Sequence, residues 1–138
     1  MLHIGLNPYG LTYTVGLQGL GTPRVNPRGT GLQGFLDIAR RIGARCAELD
    51  WRWLTGLDDH VLRQLGDTCR ADGMAVIVSA WLLQQPGETL DTPVRIAAAL
   101  QASLLRLHLT PVLEGARARH GRAWPAMAAH ARRTVVAE

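Results

Sequence analysis

Residues 103–115 read SLLRLHLTPVLEG, and this stretch decides the expected fold. Its apolar leucines alternate with polar side chains, which are those of Arg106, His108 and Thr110. A period of two predicts a β-strand with two unlike faces, one for packing and one that carries a cation, an imidazole and a hydroxyl. Pro111 then opens a loop. Because ligands of α/β proteins bind at the carboxyl ends of parallel strands, we expect the functional site at this end.

The rest of the chain repeats a strand followed by a helix. The second, third and fourth expected strands begin near Ala44, Met74 and Ser103, so the repeat is about thirty residues long. This alternation predicts parallel strands joined by right-handed crossovers. The first three expected strands cover residues 2–7, 44–53 and 74–79, and the fourth begins at residue 103. The first expected helix covers residues 31–42 and the second runs from Asp58 or Asp59 to Gly73. A third helix is expected from Thr92 and a fourth from Trp124.

Each of the first three helices has an apolar stripe at helical spacing. The stripes are Phe35, Ile38, Ala39 and Ile42 in the first helix, Val61, Leu62, Leu65 and Cys69 in the second, and Val94, Ala97 and Ala98 with Leu100 or Gln101 in the third. In the second strand, the alternation predicts that Trp51 and Trp53 lie on the outer face as packing residues. Residues 11–31 form a long loop.

Polar positions on the four strands decide between two architectures. An open doubly wound sheet has helices on both faces, where a polar face would be costly to bury. A barrel interior that opens on an active-site mouth accommodates such a face. The positions are His3, Asn7, Glu48, Asp50, Ser79, Arg106 and His108. We therefore expect an α/β fold, the (β/α)4 half of a TIM barrel, with parallel strands in sequential order and helices on the outer face, as one domain over residues 1–138.

The composition restricts the function classes. The 138 residues carry a net charge of +4, and all fifteen basic residues are arginine. Guanidinium groups bind phosphate in a bidentate manner, so phosphate recognition and a plain compositional bias both stay open. No basic run is interleaved with aromatic residues, which disfavours nucleic acid as a partner. Cys46 and Cys69 lack metal-ligand spacing, and we expect free thiols in a soluble, cytoplasmic protein with no membrane span.

Four segments carry a resemblance to a known family: LHIGLNPYG at residues 2–10, CAELD at 46–50, RIAAALQASLLRLHL at 95–109 and the Trp-Pro pair at 124–125. In pattern and spacing, the chain resembles the N-terminal half of the sugar phosphate isomerase/epimerase family, the xylose isomerase-like TIM barrels that also include endonuclease IV. The resemblance implies isomerase or epimerase chemistry on a sugar or polyol in carbohydrate metabolism. It further implies proton transfer by carboxylates and a divalent metal such as Mn, Mg or Zn.

The resemblance ends after four strand-helix units. The metal ligands of the isomerase branch lie on later strands, so no tight metal binding is expected from this chain alone. The truncated barrel is expected to work as a homodimer or with a complementing C-terminal half. Endonuclease-like members place histidines at the ends of the third and fourth strands. Only His108 corresponds, because the third strand ends in Ser79, Ala80 and Trp81, and a zinc nuclease is therefore disfavoured.

The candidate substrate-binding residues lie near the carboxyl ends of the expected strands. They are Asn7, Tyr9, Glu48, Asp50, Trp81, Arg106 and His108, with no catalytic residue and no metal ligand assigned. Structural explanations stay open beside these roles. Glu48 and Arg106 are equally well explained as a buried ion pair, and His108 as a core histidine. His3 and Cys46 lie too early in their strands to reach the mouth.

Two other function classes stay open. Residues 29–34 read GTGLQG, match G-x-G-x-x-G and precede a helix, and Asp50 ends the next strand, as a dinucleotide-binding oxidoreductase requires. However, Pro23 and Pro27 occupy the place of the strand that should come directly before the motif. The other class is a non-catalytic half-barrel or assembly partner, because four strands do not close a barrel that needs about eight.

Overall fold

A computed structural model describes residues 4–80 and 90–107. Within these ranges, four parallel strands form one sheet in the order β1-β2-β3-β4, which confirms the expected α/β class and sequential strand order. The strands are β1 (Gly5–Leu6), β2 (Cys46–Asp50), β3 (Ala75–Ala80) and β4 (Leu104–Leu107), and the helices between them are α1 (Gly31–Arg41), α2 (Asp59–Ala71) and α3 (Asp91–Leu100). The expected last helix, from Trp124, lies outside the described residues. No helix in the described ranges has the length and apolar character needed to span a membrane.

Helices α1, α2 and α3 all pack on the same face of the sheet. Leu49 of β2 and Val78 of β3 point to that face and are fully buried. Residues of all three helices join the same core, and they are Phe35, Leu36, Ala39, Leu62, Cys69, Ile96, Ala97 and Leu100. Alternate residues of a strand point to opposite faces, so none of these three helices covers the other face. The expected placement of the helices on one side is confirmed for the described residues.

The ends of α1 and α2 follow from residues that the sequence marks as caps. The Asp58 carboxylate accepts a hydrogen bond from the Val61 N–H at 2.9 Å and starts α2. Gly43 and Gly73 follow the two helices with φ values of 69° and 68°, a left-handed conformation that glycine adopts without strain. Both helices therefore stop where the sequence predicts.

The apolar stripes are correct only in part. Ile42 and Val61, both expected in the core, are 47% and 39% exposed, whereas Leu36 is buried. Ile42 is the capping residue that follows the last residue of α1, so the helical period no longer applies to it. On α2, Gly66 is buried together with the predicted Leu62 and Cys69. A Cβ atom on Gly66 would collide with the carbonyl group of Leu100. Helices α2 and α3 thus approach more closely than a stripe of large side chains predicts.

The start of α3 also differs from the expectation. The helix begins at Asp91, so Pro93 is its third residue and Thr92 is not the cap. Proline is tolerated there because the first N–H groups of a helix have no partner within the helix. Leu90, which precedes the helix, is 3% exposed and anchors this end by burial.

Strand β2 ends at Asp50, and the expected strand through Trp53 is wrong. The Asp50 Oδ1 atom accepts a hydrogen bond from the Arg52 N–H at 3.0 Å, and Trp51–Trp53 form a single 3-10 turn. The two tryptophans therefore do not alternate on a strand. Both are partly buried against the core, and the rings of Trp53 and Phe35 lie 5.6 Å apart.

The expected long loop between β1 and α1 folds over the core. Val15 and Leu17 are only 1% and 2% exposed. The two limbs of the loop touch, because a Cβ atom on Gly29 would lie 2.5 Å from the Cα atom of Gly16. The Gly31 N–H donates to the Val15 carbonyl at 3.2 Å, which ties the loop to the start of α1.

Candidate functional site

A row of polar side chains crosses the sheet near the carboxyl ends of three strands. The strand register pairs Asp50 of β2 with Ser79 of β3, and Ser79 with Arg106 of β4. Neighbouring strands lie about 5 Å apart, so the row extends about 10 Å. Glu48 lies one layer below it, beside Ile77. All of these residues are on the face that α1, α2 and α3 leave uncovered.

Glu48 and Arg106 form an ion pair across β3. The Arg106 NH1 group donates to Glu48 Oε1 at 2.6 Å. The Glu48 side chain is 12% exposed and that of Arg106 is 45% exposed. The predicted ion pair between Glu48 and Arg106 is therefore present, but only the Glu48 carboxylate is buried. The guanidinium group lies at the surface of the site.

Tyr9 brings the segment after β1 into the same site. It begins the 3-10 turn Tyr9–Leu11, and its hydroxyl shares a hydrogen bond of 2.8 Å with the Ser79 hydroxyl. The guanidinium carbon of Arg106 lies 5.7 Å from the centre of the Tyr9 ring, within cation–π distance. Asn7 accepts a hydrogen bond from the Tyr9 N–H at 3.1 Å, so its side chain supports the turn that presents Tyr9.

Asp50 and Arg52 form a second pair of the same kind. Asp50 is fully buried, and its two oxygens accept from Arg52 Nε at 2.9 Å and from NH2 at 2.8 Å. The hydrogen bond to Asp50 raises the pKa of Arg52, which therefore stays charged. Both Asp50 oxygens are bound to Arg52, so the expected substrate-binding carboxylate of Asp50 is not at the surface of the site. Arg52, with 43% of its side chain exposed, lies there instead.

Sequence reasoning assigned neither Ser79 nor Arg52 to the site. Ser79 is one of the polar positions on the predicted inner face of the strands, and this placement could have identified it as a site residue. For Arg52 the alternation around Trp51 and Trp53 places the side chain on the polar side but gives no reason to pair it with Asp50. Of the predicted site residues, Trp81 and His108 lie outside the described residues, as does His3.

A buried donor lies at the same end of the sheet. The Trp51 indole Nε1 is buried with no hydrogen-bond acceptor in the described part of the chain. The indole packs against a small apolar cluster of Ala80, Leu90 and Val94, which follows the ends of β2 and β3. Buried N–H groups almost always have an acceptor, so the Trp51 indole N–H is an exception at the carboxyl end of the sheet that apolar packing alone does not explain.

The donor atoms present do not fit a divalent metal. Within residues 4–80 and 90–107, no group of three His, Cys, Asp or Glu side chains comes together. The two carboxylates of the site, Glu48 and Asp50, each have an arginine where a metal ion would bind.

The G-x-G-x-x-G segment does not form a phosphate loop between a strand and a helix. Strand β1 ends at Leu6 and α1 begins only at Gly31, with the folded loop between them. Gly34 packs on its own turn, because a Cβ atom there would collide with the Thr30 side chain. The tight turn that a dinucleotide fold requires is missing, which disfavours that function class.

The opposite end of the sheet has a shallow groove of about 500 Å³ lined by Ile4, Gly5, Arg45, Cys46 and Gly73. Cys46 is the first residue of β2, in agreement with the expectation that it does not reach the mouth. Burial, with a smaller contribution from the charge of Glu48, raises the pKa of its thiol. The Cys46 thiol is therefore protonated at neutral pH and lies away from the polar row.

Comparison with known proteins gives no match to this chain among family models, curated proteins or solved structures. What remains is a site with two exposed guanidinium groups over two buried carboxylates, and with the hydroxyls of Tyr9 and Ser79 between them.

Proposed function

We propose that this chain is the substrate-binding half of a (β/α)8 barrel that isomerises or epimerises a sugar, a sugar phosphate or a polyol. One observation carries the proposal: four successive strand units contribute Tyr9, Glu48, Ser79 and Arg106 to one contiguous site at the carboxyl ends of the strands. Hydroxyl, carboxylate and guanidinium groups in one site suit a ligand with several hydroxyl groups. Enzymes with parallel strands bind their substrates at this end.

The barrel half is favoured over an open sheet by the uncovered face. Parallel sheets are normally covered on both faces, but Leu104 on the polar face is 53% exposed in the described structure. Sequential strands with helices on one side continue into a closed barrel when about four more strands are added. A second copy supplies these strands about a two-fold axis along the barrel, with β4 of one copy beside β1 of the other. A separate C-terminal half supplies them equally well.

The described residues have binding roles in this proposal. Tyr9 and the exposed guanidinium group of Arg106 contact the substrate, and the Glu48 carboxylate holds Arg106 in place. Ser79, which is fully buried, positions the Tyr9 hydroxyl. In the resembled family, a divalent metal polarises the substrate carbonyl when it is bound. The residues described here do not fit such an ion, so the metal belongs to the C-terminal half of the barrel. No residue of this chain is assigned a catalytic role.

We also propose the cytoplasm as the location of the chain. Cys46 and Cys69 are both free thiols. Burial raises the pKa of each thiol, which keeps it protonated and slow to oxidise. Unpaired cysteines of this kind are typical of a reducing compartment.

A non-catalytic role as an assembly partner is the second candidate. It is favoured by the same ion pairs, because Asp50 has both oxygens bound to Arg52 and Glu48 is bound to Arg106. Carboxylates already used in this way stabilise a wall of the barrel without moving protons. In that case, the uncovered face binds another chain and turnover does not require Glu48.

An isotope-exchange assay tests the proposal. The purified chain is incubated in deuterated water with a mixture of ketoses and ketose phosphates, alone and together with the C-terminal half of a related barrel and Mn²⁺. We expect deuterium incorporation next to the carbonyl only when the second half is present, and sedimentation of the chain alone as a dimer. Glu48→Gln should lower exchange about tenfold or more, because Arg106 then loses the carboxylate that holds it in the site. Asp67→Asn, on the exposed face of α2, should not change exchange. Exchange by the isolated monomer, or equal exchange in the Glu48→Gln variant, would contradict the proposal.

A further inference from the structure

We propose that Arg52 and Arg106 together bind a phosphate group, with the hydroxyls of Tyr9 and Ser79 between the two arginines. The site is a row on adjacent strands. Asp50, which holds Arg52, is in register with Ser79, and Ser79 is in register with Arg106. The phosphate site stands on this geometry alone, and only the choice of a sugar phosphate as its ligand rests on the proposed function.

The two arginines are fixed in position before a ligand arrives. Asp50 holds Arg52 through two hydrogen bonds, and Glu48 holds Arg106 through one. Their carboxylates lie beneath the surface, at 0% and 12% exposure, while the arginine side chains are 43% and 45% exposed. A ligand that enters from solvent therefore meets guanidinium groups first. Little side-chain entropy is lost on binding, because both groups are already ordered.

Unused donors determine which ligand fits. Arg52 binds Asp50 through Nε and NH2, which leaves NH1, and Arg106 binds Glu48 through NH1, which leaves Nε and NH2. Within the described ranges, no protein acceptor is bound to these remaining groups. Donors thus outnumber open acceptors at the surface of the row. A phosphate group accepts several hydrogen bonds at once and matches the planar fork of arginine.

The alternative of a neutral polyol fits these contacts less well. A polyol needs acceptors as well as donors, and three of the four carboxylate oxygens are already bound to arginine: both of Asp50 and one of Glu48. The charges of the two ion pairs cancel, so the expected affinity comes from fixed donors at short range. Binding of phosphate should therefore weaken only modestly with salt, unlike binding to an excess of positive charge.

Titration of the full chain with inorganic phosphate, followed by calorimetry and by phosphorus NMR, tests the site. We expect one phosphate per chain. The paired variants Asp50→Asn with Arg52→Gln and Glu48→Gln with Arg106→Gln remove cation and anion together, so no buried carboxylate is left unpaired. Each should weaken phosphate binding about tenfold or more. The matched control is Arg63→Gln with Asp67→Asn on the exposed face of α2, which makes the same change in charge and should leave binding unchanged.

Single Arg52→Lys and Arg106→Lys variants guard against a paired variant that fails to fold. They keep the charge that faces the buried carboxylate but lose the planar fork, and each should still fold and bind phosphate several-fold more weakly. The inference is overturned if the wild type binds no phosphate, if the paired and lysine variants bind as well as wild type, or if the control loses as much. Phosphate binding without isotope exchange on any sugar phosphate would refute the proposed function and keep the phosphate site.

Discussion

The two faces of the sheet are built by different physical rules along the same strands. On the helix side, Leu49 and Val78 are fully buried and belong to one apolar core. On the other side, Leu104 is 53% exposed and the ends of the strands carry two ion pairs. Burial of apolar area stabilises the first face. The second face contains buried carboxylates that are tolerable only because arginine binds them.

The two faces should therefore respond differently to substitution. Truncation on the helix face leaves a cavity that the packed layers cannot fill, so its cost is large. On the polar face, the cost depends on whether a buried charge loses its partner. Substitutions on the two faces therefore separate the two rules experimentally.

Leu49→Ala is the substitution with the largest expected effect. Leu49 is fully buried in the apolar core. Removing three carbons should lower the free energy of unfolding by about 3 kcal/mol, measured by urea denaturation. The matched control is Leu104→Ala on the other face, which should cost less than about 1 kcal/mol because the side chain is half exposed. Equal losses at the two positions would contradict the one-sided core.

The fold followed from the sequence because its signals are local. Alternation of apolar residues, the cap at Asp58 and the glycines at 43 and 73 each act within a few residues of themselves. Errors occurred where a distant contact changed the outcome. Gly66 occupies a buried position of α2 because the backbone of α3 at Leu100 passes too close for a side chain. The sequence of α2 by itself does not show that α3 approaches there.

The site could be predicted only in its components. Tyr9, Glu48 and Arg106 are brought together as predicted candidates, but their contacts depend on the register of four strands, which a single sequence does not specify. Asp50 was expected to bind substrate because it ends a strand. The structure gives both of its oxygens to Arg52, since a turn after β2 brings that side chain back.

Breaking the buried ion pair should have the second largest effect. Arg52→Gln leaves the Asp50 carboxylate buried without its cation, and we expect a loss of about 2 kcal/mol in the free energy of unfolding. Adding Asp50→Asn should recover part of that loss, because the pair is then neutral and Asn still accepts from the backbone N–H at position 52. A thermodynamic cycle of the two single variants and the double variant measures this coupling. Additive losses would mean that the carboxylate is not dependent on Arg52.

The smallest effect is expected at Asp58, which caps a helix in water as Asp50 caps a turn in the interior. The hydrogen bond from the Val61 N–H, with help from His60, lowers the pKa of Asp58 below its ordinary value of 3.8. A lowered pKa in the folded state means that charged Asp58 stabilises the fold above that ordinary value, and that the contribution is lost as the pH falls through the folded-state pKa. Asp58→Asn keeps a cap that does not titrate. Urea midpoints of wild type and variant should therefore differ most near neutral pH and converge at acidic pH, once the pH is below the lowered pKa of Asp58 and both caps are uncharged. A difference that stays constant between neutral and acidic pH would show that the charge at Asp58 does not contribute to stability.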